Sequence, residues 1–446
     1  MKIKTGRTWK NWAGTSESTP LKIIYPTTIE EVTELVSKAK AEKKKIRVVG
    51  AGHSFTHLAH TTDWLLSLDG LKGIESIDTD KETVTVFAGT RLYEIGSLLG
   101  EKGYAQENLG DINVQSIAGA VSTGTHGTGL QFGNISTQVL EVTFVSGSGE
   151  IVALSVEKDP EFFKACLVSL GMLGIIVKIK LKMIQSPVYV YKSDKVKFHV
   201  LEEKLNDYIY NNRHFEFFLF PYTDTVQVKT MNITSEKPQS LRWHKLNSLV
   251  LENYLFYVIS EVCRIFPKTS AFFSRLSAKA IGKETIRAES HELFATPRKV
   301  RFREMEYSIP LAYFLPALRE IRQTIEEKKY HVHFPIECRT VKADDIWLSP
   351  SYKRDSAYIA FHMYKGMPYD TFFIDMENIM KKYDGRPHWG KMHKRTADEL
   401  FHLYPRLYDF LVFRQKQDPD DLFLNPYLRQ LLYEQSNKQQ TIEKSS

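Results

Sequence analysis

The chain has 446 residues, 42% of them hydrophobic and 25% charged, which is too long for one ordinary core and predicts two globular domains with disorder only at the ends. The net charge of +7 is spread over 60 basic and 53 acidic residues with no dense Lys/Arg stripe, which argues against nucleic acid and for small anionic ligands. Cys166, Cys263 and Cys338 are far apart and indicate buried thiols, neither a disulfide framework nor a zinc site, and Met1–Arg7 lacks the apolar run of a signal peptide, so a cytoplasmic location is expected.

Thr27 and Thr28 each offer a capping box to a helix whose apolar residues Ile29, Val32, Leu35, Val36 and Ala39 recur at helical spacing. The basic run Lys40–Lys45 closes that helix, and Ile46–Val49 reads as a buried strand entering Gly50-Ala51-Gly52-His53-Ser54. The two glycines leave N–H groups open to an anion, but Phe55 stands where a dinucleotide-binding turn needs its third glycine. Strands are expected at Trp64–Leu68, Ile74–Ile77 and Thr83–Ala88, then a helix at Leu92–Glu101. Gly110–Gly133 holds six of the 24 glycines; Leu130 and Gln131 rule out a phosphate-hydrolysing loop there, leaving a small-residue surface for a pyrophosphate or flat ring. A strand at Val139–Val145, a helix from Pro160 to Leu170 and an alternating strand Ile175–Ile184 lead to a boundary at Pro187.

Beyond it, Phe215–Pro221 and Thr225–Met231 read as a hairpin and Leu241–Ile281 as largely helical. Val250–Phe266 is the most membrane-like stretch, yet Glu252, Glu261 and Arg264 interrupt it, so it is read as a packed amphipathic helix, with an interfacial one as the other reading. Strands follow at Val300–Ser308, Val332–Thr340 and Ala357–Tyr364, without a regular βαβ rhythm, which indicates an α+β unit.

Four constellations carry chemistry. His53, His57 and His60 lack an acid or thiol to complete a metal set, and the glycines argue for a turn, so no metal is expected. His126, between Gly124-Thr125 and Gly127, is placed to donate to an anion. Glu337 and Arg339 share one face of a strand with apolar flanks, which points them into a pocket. His388, Trp389 and Lys391 lie in a loop held by Gly385, Pro387 and Gly390, where site residues gather, and Asp418–Pro426 reads as a structural turn and cap.

Taken in order, Gly-x-Gly-His-Ser, Thr-Gly-Thr-His-Gly, Glu-x-Arg-Thr and His-Trp-Gly-Lys resemble the sugar-lactone and alditol oxidases of the vanillyl-alcohol-oxidase flavoprotein family, over roughly residues 10 to 430. The resemblance implies a two-domain α+β fold of the FAD-binding PCMH type: residues 1–186 for FAD, 187–430 as a substrate-binding cap whose C-terminal segment returns to the flavin, and 431–446 as a polar tail. It implies covalent FAD on His53, with Val48, Val49, Gly50, Ala51, Gly52 and Ser54 around the pyrophosphate. Ser116, Gly119, Thr123, Gly124, Thr125, His126, Gly127 and Thr128 match the second cofactor segment, Gly174 and Ile176 an adenine-side contact, and His388 a contact to the ring. Glu337, Arg339 and Lys391 fall on catalytic positions. Tyr364 falls on a substrate-lining one, where the alditol oxidases carry Thr; that departure weakens a polyol substrate and favours a ring. The implied activity is oxidation of a D-arabinono-1,4-lactone or L-gulono-1,4-lactone by hydride transfer to flavin N5, with O2 reduced to H2O2. An alditol oxidase, and a dehydrogenase with another acceptor, stand as alternatives; the oligomeric state is left open.

Overall fold

The structure is a computed structural model that describes residues 1–241, 254–294 and 300–434. The cap offered by Thr27 and Thr28 is used: helix Ile29–Ala41 starts with the Thr28 side chain accepting from the Glu31 N–H, while the Glu31 carboxylate accepts from the Thr27 N–H at 2.7 Å. Its apolar face, Val32, Leu35, Val36 and Ala39, is buried, and it delivers the chain to strand Ile46–Val49. That strand runs parallel to Trp64–Ser67, which runs parallel to Lys22–Tyr25; Lys2–Lys4 closes the sheet antiparallel. Parallel neighbours need such crossover connections.

A second, antiparallel sheet orders Ile151–Ser155, Val139–Val145, Ile175–Lys182, Thr83–Phe87 and Ile74–Asp78. Its long strand alternates as expected, with Val177, Ile179 and Leu181 buried and Lys182 exposed. Two expectations change here. The small-residue stretch contains a short helix, Ile117–Thr123, capped by Ser116 and stopped by Gly124 in the left-handed region. The helix from Pro160 ends at Leu167, and Leu170 itself turns left-handed at φ 56°.

The largest sheet has eight strands in the order Glu284–Glu289, Val188–Lys197, Thr225–Ile233, His214–Leu219, Ile336–Val341, Ser356–Tyr364, Phe302–Pro310 and Arg386–Pro387, all antiparallel. The expected hairpin is present; strand Val188–Lys197 and helices Phe198–Asn211, Phe314–Lys328 and Asp370–Lys382 are elements the sequence reading did not anticipate. One face of this sheet is apolar: Phe217, Cys338, Ile359, Phe361, Met305 and Tyr307 form one core with Leu201, Leu205, Leu318, Ile321, Phe372 and Met376 of those three helices. The opposite face is polar and is nonetheless covered.

Part of the helical expectation at Leu241–Ile281, and the start of the Val250–Phe266 stretch, lie outside the described residues; the described part forms helices Phe256–Ile265 and Ser270–Ala280. Among the described residues no helix is long and apolar enough to cross a membrane. All three cysteines are buried free thiols.

The C-terminal helices Ala397–Leu403, Leu407–Gln417 and Pro426–Tyr433 leave this second unit and pack their Leu400, Tyr404, Phe410, Leu428 and Leu432 into the same core as Val32, Leu66 and Val142. Asp418 behaves as the expected turn, accepting from the N–H groups of Leu422 and Phe423, and Asn425 caps the last helix. That helix runs past residue 430 to Tyr433; residues 435–446 lie outside the described part. Arg47 ties the two ends of the chain together, since its guanidinium donates to the carbonyls of Leu58, Leu170, Gly171 and Phe423.

Candidate active site

The turn after strand Ile46–Val49 closes against the short helix Ile117–Thr123 because neither contributes bulk. A Cβ on Gly50 would lie 2.1 Å from the Ser116 Oγ, so only glycine permits this approach. Gly52 is left-handed at φ 69°, and a Cβ on Gly174 would meet the Val145 carbonyl at 2.4 Å. Between these segments opens a cleft of about 950 Å³, much of it open to solvent.

Val48, Val49, Gly50, Ala51, Gly52, His53, Ser54, Ser116, Gly119, Thr123, Gly174 and Ile176 all line it. Trp9, Thr56, Gln115, Ser122 and Gly171 line it too. Gln115 presents a buried side-chain oxygen with no hydrogen-bond partner, which marks a wall built for a polar ligand. The set suits an FAD: a narrow apolar slot, open backbone N–H groups and few charges.

His53 stands at one end. Its ring stacks on Trp12 at 5.4 Å and 25°, and burial, with the Lys391 and Arg91 cations nearby, pushes its pKa down to about 4. The imidazole is therefore neutral near pH 7. Trp12 is brought there by the Trp12 N–H donating to the Gly52 carbonyl at 2.8 Å, and the Asn11 amide donates to the Ser54 carbonyl at 2.9 Å. His57 instead bonds Ser16 at 2.9 Å.

Gly124, Thr125, His126, Gly127, Thr128 and His388 do not line this cleft. They join it to the polar face of the eight-stranded sheet. The Gly129 N–H donates to Thr340 O at 2.9 Å, and Thr128 Oγ1 bonds the Phe215 carbonyl. His126 Nδ1 donates to Gly127 O at 2.9 Å, and its Nε2 meets Glu306 Oε1 at 3.1 Å. Burial would raise the Glu306 carboxyl, but His126, His388 and Lys391 hold it well below the usual range. His126, Glu306 and His388 offer donor atoms within 4.8 Å of one another. His388 Nδ1 accepts from the Gly390 N–H at 3.0 Å, and burial keeps the ring neutral, with a pKa of about 4. Its proton is then on Nε2, so neither nitrogen is free for a cation, and the group is a hydrogen-bonded cluster.

On the sheet face, register places Glu216 beside Arg339, Arg339 beside Tyr358, Glu337 and Glu306 on either side of Ala360, and Glu304 opposite His362. Arg339 Nε donates to Glu216 at 3.0 Å, its Nη2 pairs with Glu337, and Asp111 stands 3.9 Å away. Burial would lower the guanidinium's pKa, but Glu337 and Glu216 raise it, so it stays charged. Lys391 does not join this pair; its Nζ is bound by Glu304. His362 Nε2 lies 3.4 Å from Glu304 and 4.0 Å from Glu337, buried and without a hydrogen bond. Tyr364 sits on the same strand further along, ring against Phe334 and hydroxyl on Glu261.

The structure thus brings Glu337, Arg339 and Lys391 together with Glu216, Glu304, Glu306 and His362, which the sequence reading did not name. The missed signal was the alternation Glu304-Met305-Glu306-Tyr307 within an expected strand. Cleft and sheet face also meet where the Phe55 N–H donates to Gly390 O at 2.7 Å and Lys391 Nζ lies 5.1 Å from the Phe55 ring centre.

Comparison with known proteins finds two matching families. The D-arabinono-1,4-lactone oxidase family matches residues 179–431, and an FAD binding domain family matches residues 20–155. The chain is 36% identical over 427 residues to an L-gulono-1,4-lactone dehydrogenase of Mycobacterium tuberculosis, covering 95% of this chain and 99% of that protein. It is 30% identical to the L-gulonolactone oxidase of Mus musculus, covering 96% and 99%. The crystal structure of a cholesterol oxidase from B. sterolicum superposes with a TM-score of 0.83 over 97% of each chain at 18% identity, which speaks to the fold alone.

Proposed function

Because the chain belongs to the D-arabinono-1,4-lactone oxidase family of FAD-dependent oxidoreductases, we propose that it oxidises a carbinol of an aldonolactone ring, of the D-arabinono- or L-gulono-1,4-lactone type. The cleft walls from Val48 to Ser54, with Ser116, Gly119, Thr123, Gly174 and Ile176, would hold the FAD, and His53 would carry it covalently. Bound there, FAD supplies a two-electron acceptor for the hydride that leaves the carbinol carbon.

The chain's own residues do the rest. Glu337 accepts the hydrogen bond of the reacting hydroxyl. Arg339 and Lys391, both charged and partly shielded from water, stabilise the negative charge that grows as the proton leaves. His362, between the Glu337 and Glu304 carboxylates, offers that proton its next position. The observation that carries the reading is the convergence of Glu337, Arg339, His362 and Lys391–Glu304 on one covered sheet face beside the His53 end of the cleft.

The test is turnover of the two lactones, with xylitol as the polyol control, followed by oxygen uptake and peroxide. Lactone turnover with peroxide is expected; preference for xylitol would overturn the substrate class. The dehydrogenase among the relatives favours one second reading, in which turnover needs an added dye acceptor and releases no peroxide. Yellow fluorescence that stays with the denatured chain on a gel, and is lost in His53→Ala, is expected of the covalent link; fluorescence that washes out of the parent protein would remove it.

A further inference from the structure

Helices Phe256–Ile265 and Ser270–Ala280, joined by the turn Pro267–Thr269, are amphipathic the wrong way round for a water-facing element. Their buried residues are small or weakly polar: Ser260 and Cys263 on the first, Ser270, Ser274 and Ala278 on the second. Their exposed residues are large and apolar: Tyr257, Val258 and Ile265, then Phe266, Phe272 and Leu276, with Phe266 62% and Phe272 61% exposed. Positions 257, 258 and 265 share one helical face, as do 272 and 276. Single exposed apolar residues are ordinary, but six within twenty positions mark an interaction surface.

The charges decide the partner. Between residues 256 and 280 there are four basic residues, Arg264, Lys268, Arg275 and Lys279, and one acid, Glu261. Glu261 is already engaged by Arg264 at 2.6 Å and by the Tyr364 hydroxyl. All four cations are exposed, and among the described residues Lys268 and Lys279 have no ion-pair partner. A second copy of the chain packed on this surface by a two-fold axis would set these cations against their own kind. An anionic phospholipid surface would accept both features at once, taking the aromatic and aliphatic side chains into the headgroup boundary and pairing the cations with phosphate.

We propose that these two helices dock the protein on an anionic bilayer surface, as a peripheral contact that spans nothing. The first helix touches Tyr364 through Glu261, but Phe266, Phe272 and the cations Lys268 and Lys279 face outward, so the inference does not depend on which substrate is oxidised.

The test is co-sedimentation of the FAD-loaded full chain with phosphatidylglycerol-containing vesicles and with pure phosphatidylcholine vesicles. The protein is expected to pellet with the first and largely not with the second, and to be released as salt rises. The F266D/F272D double variant is expected to remain in the supernatant with its flavin absorbance and soluble turnover intact. K268Q/K279Q, which leaves the apolar residues in place, is expected to bind about fivefold more weakly per charge removed. Protein that stays in the supernatant with phosphatidylglycerol vesicles overturns the proposal. So does equal pelleting of parent and both variants, or a self-association abolished by F266D/F272D with no vesicle binding, which would assign the surface to a second copy.

Discussion

The His53 imidazole has a pKa of about 4 because it is buried, with Lys391 and Arg91 beside it. A covalent bond to flavin forms only from an unprotonated ring nitrogen, so this residue is poised for it across the whole physiological range. Incorporation of FAD into apoprotein, followed by fluorescence of the denatured chain, is therefore expected to proceed at one rate from pH 8 to pH 5 and to fall only toward pH 4. Lys391→Met, which removes one of the two cations, is expected to move that fall to higher pH; a half-point near 6.5 in the parent protein would contradict the buried neutral ring. The place of His53 at the end of the cleft follows from the Gly-x-Gly turn that precedes it. Its stacking partner Trp12 was not legible in the sequence, since nothing local to residue 12 announces a contact forty-one positions away.

Strand Phe302–Pro310 shows what alternation can and cannot say. Met305, Tyr307 and Ile309 belong to the apolar core, and that period of two was readable as a strand. Glu304 and Glu306 occupy the other face, which in an isolated sheet would face water. Here the segments Thr125–Gly129 and Gly390–Lys391 cover it, and Glu304 and Glu306 are only 5% and 6% exposed. A sequence shows which side chains share a face but not which distant element lies over it, so the glutamates passed unremarked. Burial would raise the Glu304 carboxyl, but Lys391 and His362 hold it well below the usual range, so it is a fixed anion that anchors the Lys391 ammonium. Glu304→Gln loses a charged hydrogen bond, about 1.5–3 kcal/mol. Steady-state kinetics should show kcat/KM for the lactone falling about 10- to 100-fold with bound flavin unchanged. Unchanged kcat/KM would leave Lys391 without need of its partner.

At the scale of the whole molecule, the fold depends on contacts that join its ends. The Ile46 N–H donates to the Leu422 carbonyl at 2.9 Å, and the Asn425 amide bonds the carbonyls of His57, Leu58 and His60. No local signal encodes these pairings; the resemblance implied a C-terminal segment that returns to the flavin, but not that its helices pack into the first core. Burial also lowers His53, His214, His333, His388 and His393 to a pKa of about 4 each. Below the ordinary histidine value near 6.5 the unfolded chain takes up protons at these residues and the folded protein does not, so stability falls as pH falls from about 6.5 to 4. Five such groups give a slope of about 7 kcal/mol per pH unit as an upper scale. Asp344 works the other way, since burial raises it to about 7 and its contribution declines as pH rises, but it is one group against five. Below about 4.5 the depressed carboxylates Glu216, Glu304 and Glu306 begin to add to the acid loss. Thermal unfolding at fixed ionic strength should therefore show a Tm that is nearly level between pH 7 and 8 and drops steadily from pH 6.5 to 4.5. A Tm that stays level through that lower window would mean these histidines gain water or a partner on protonation, and that the seam between the two units opens more readily than its packing implies.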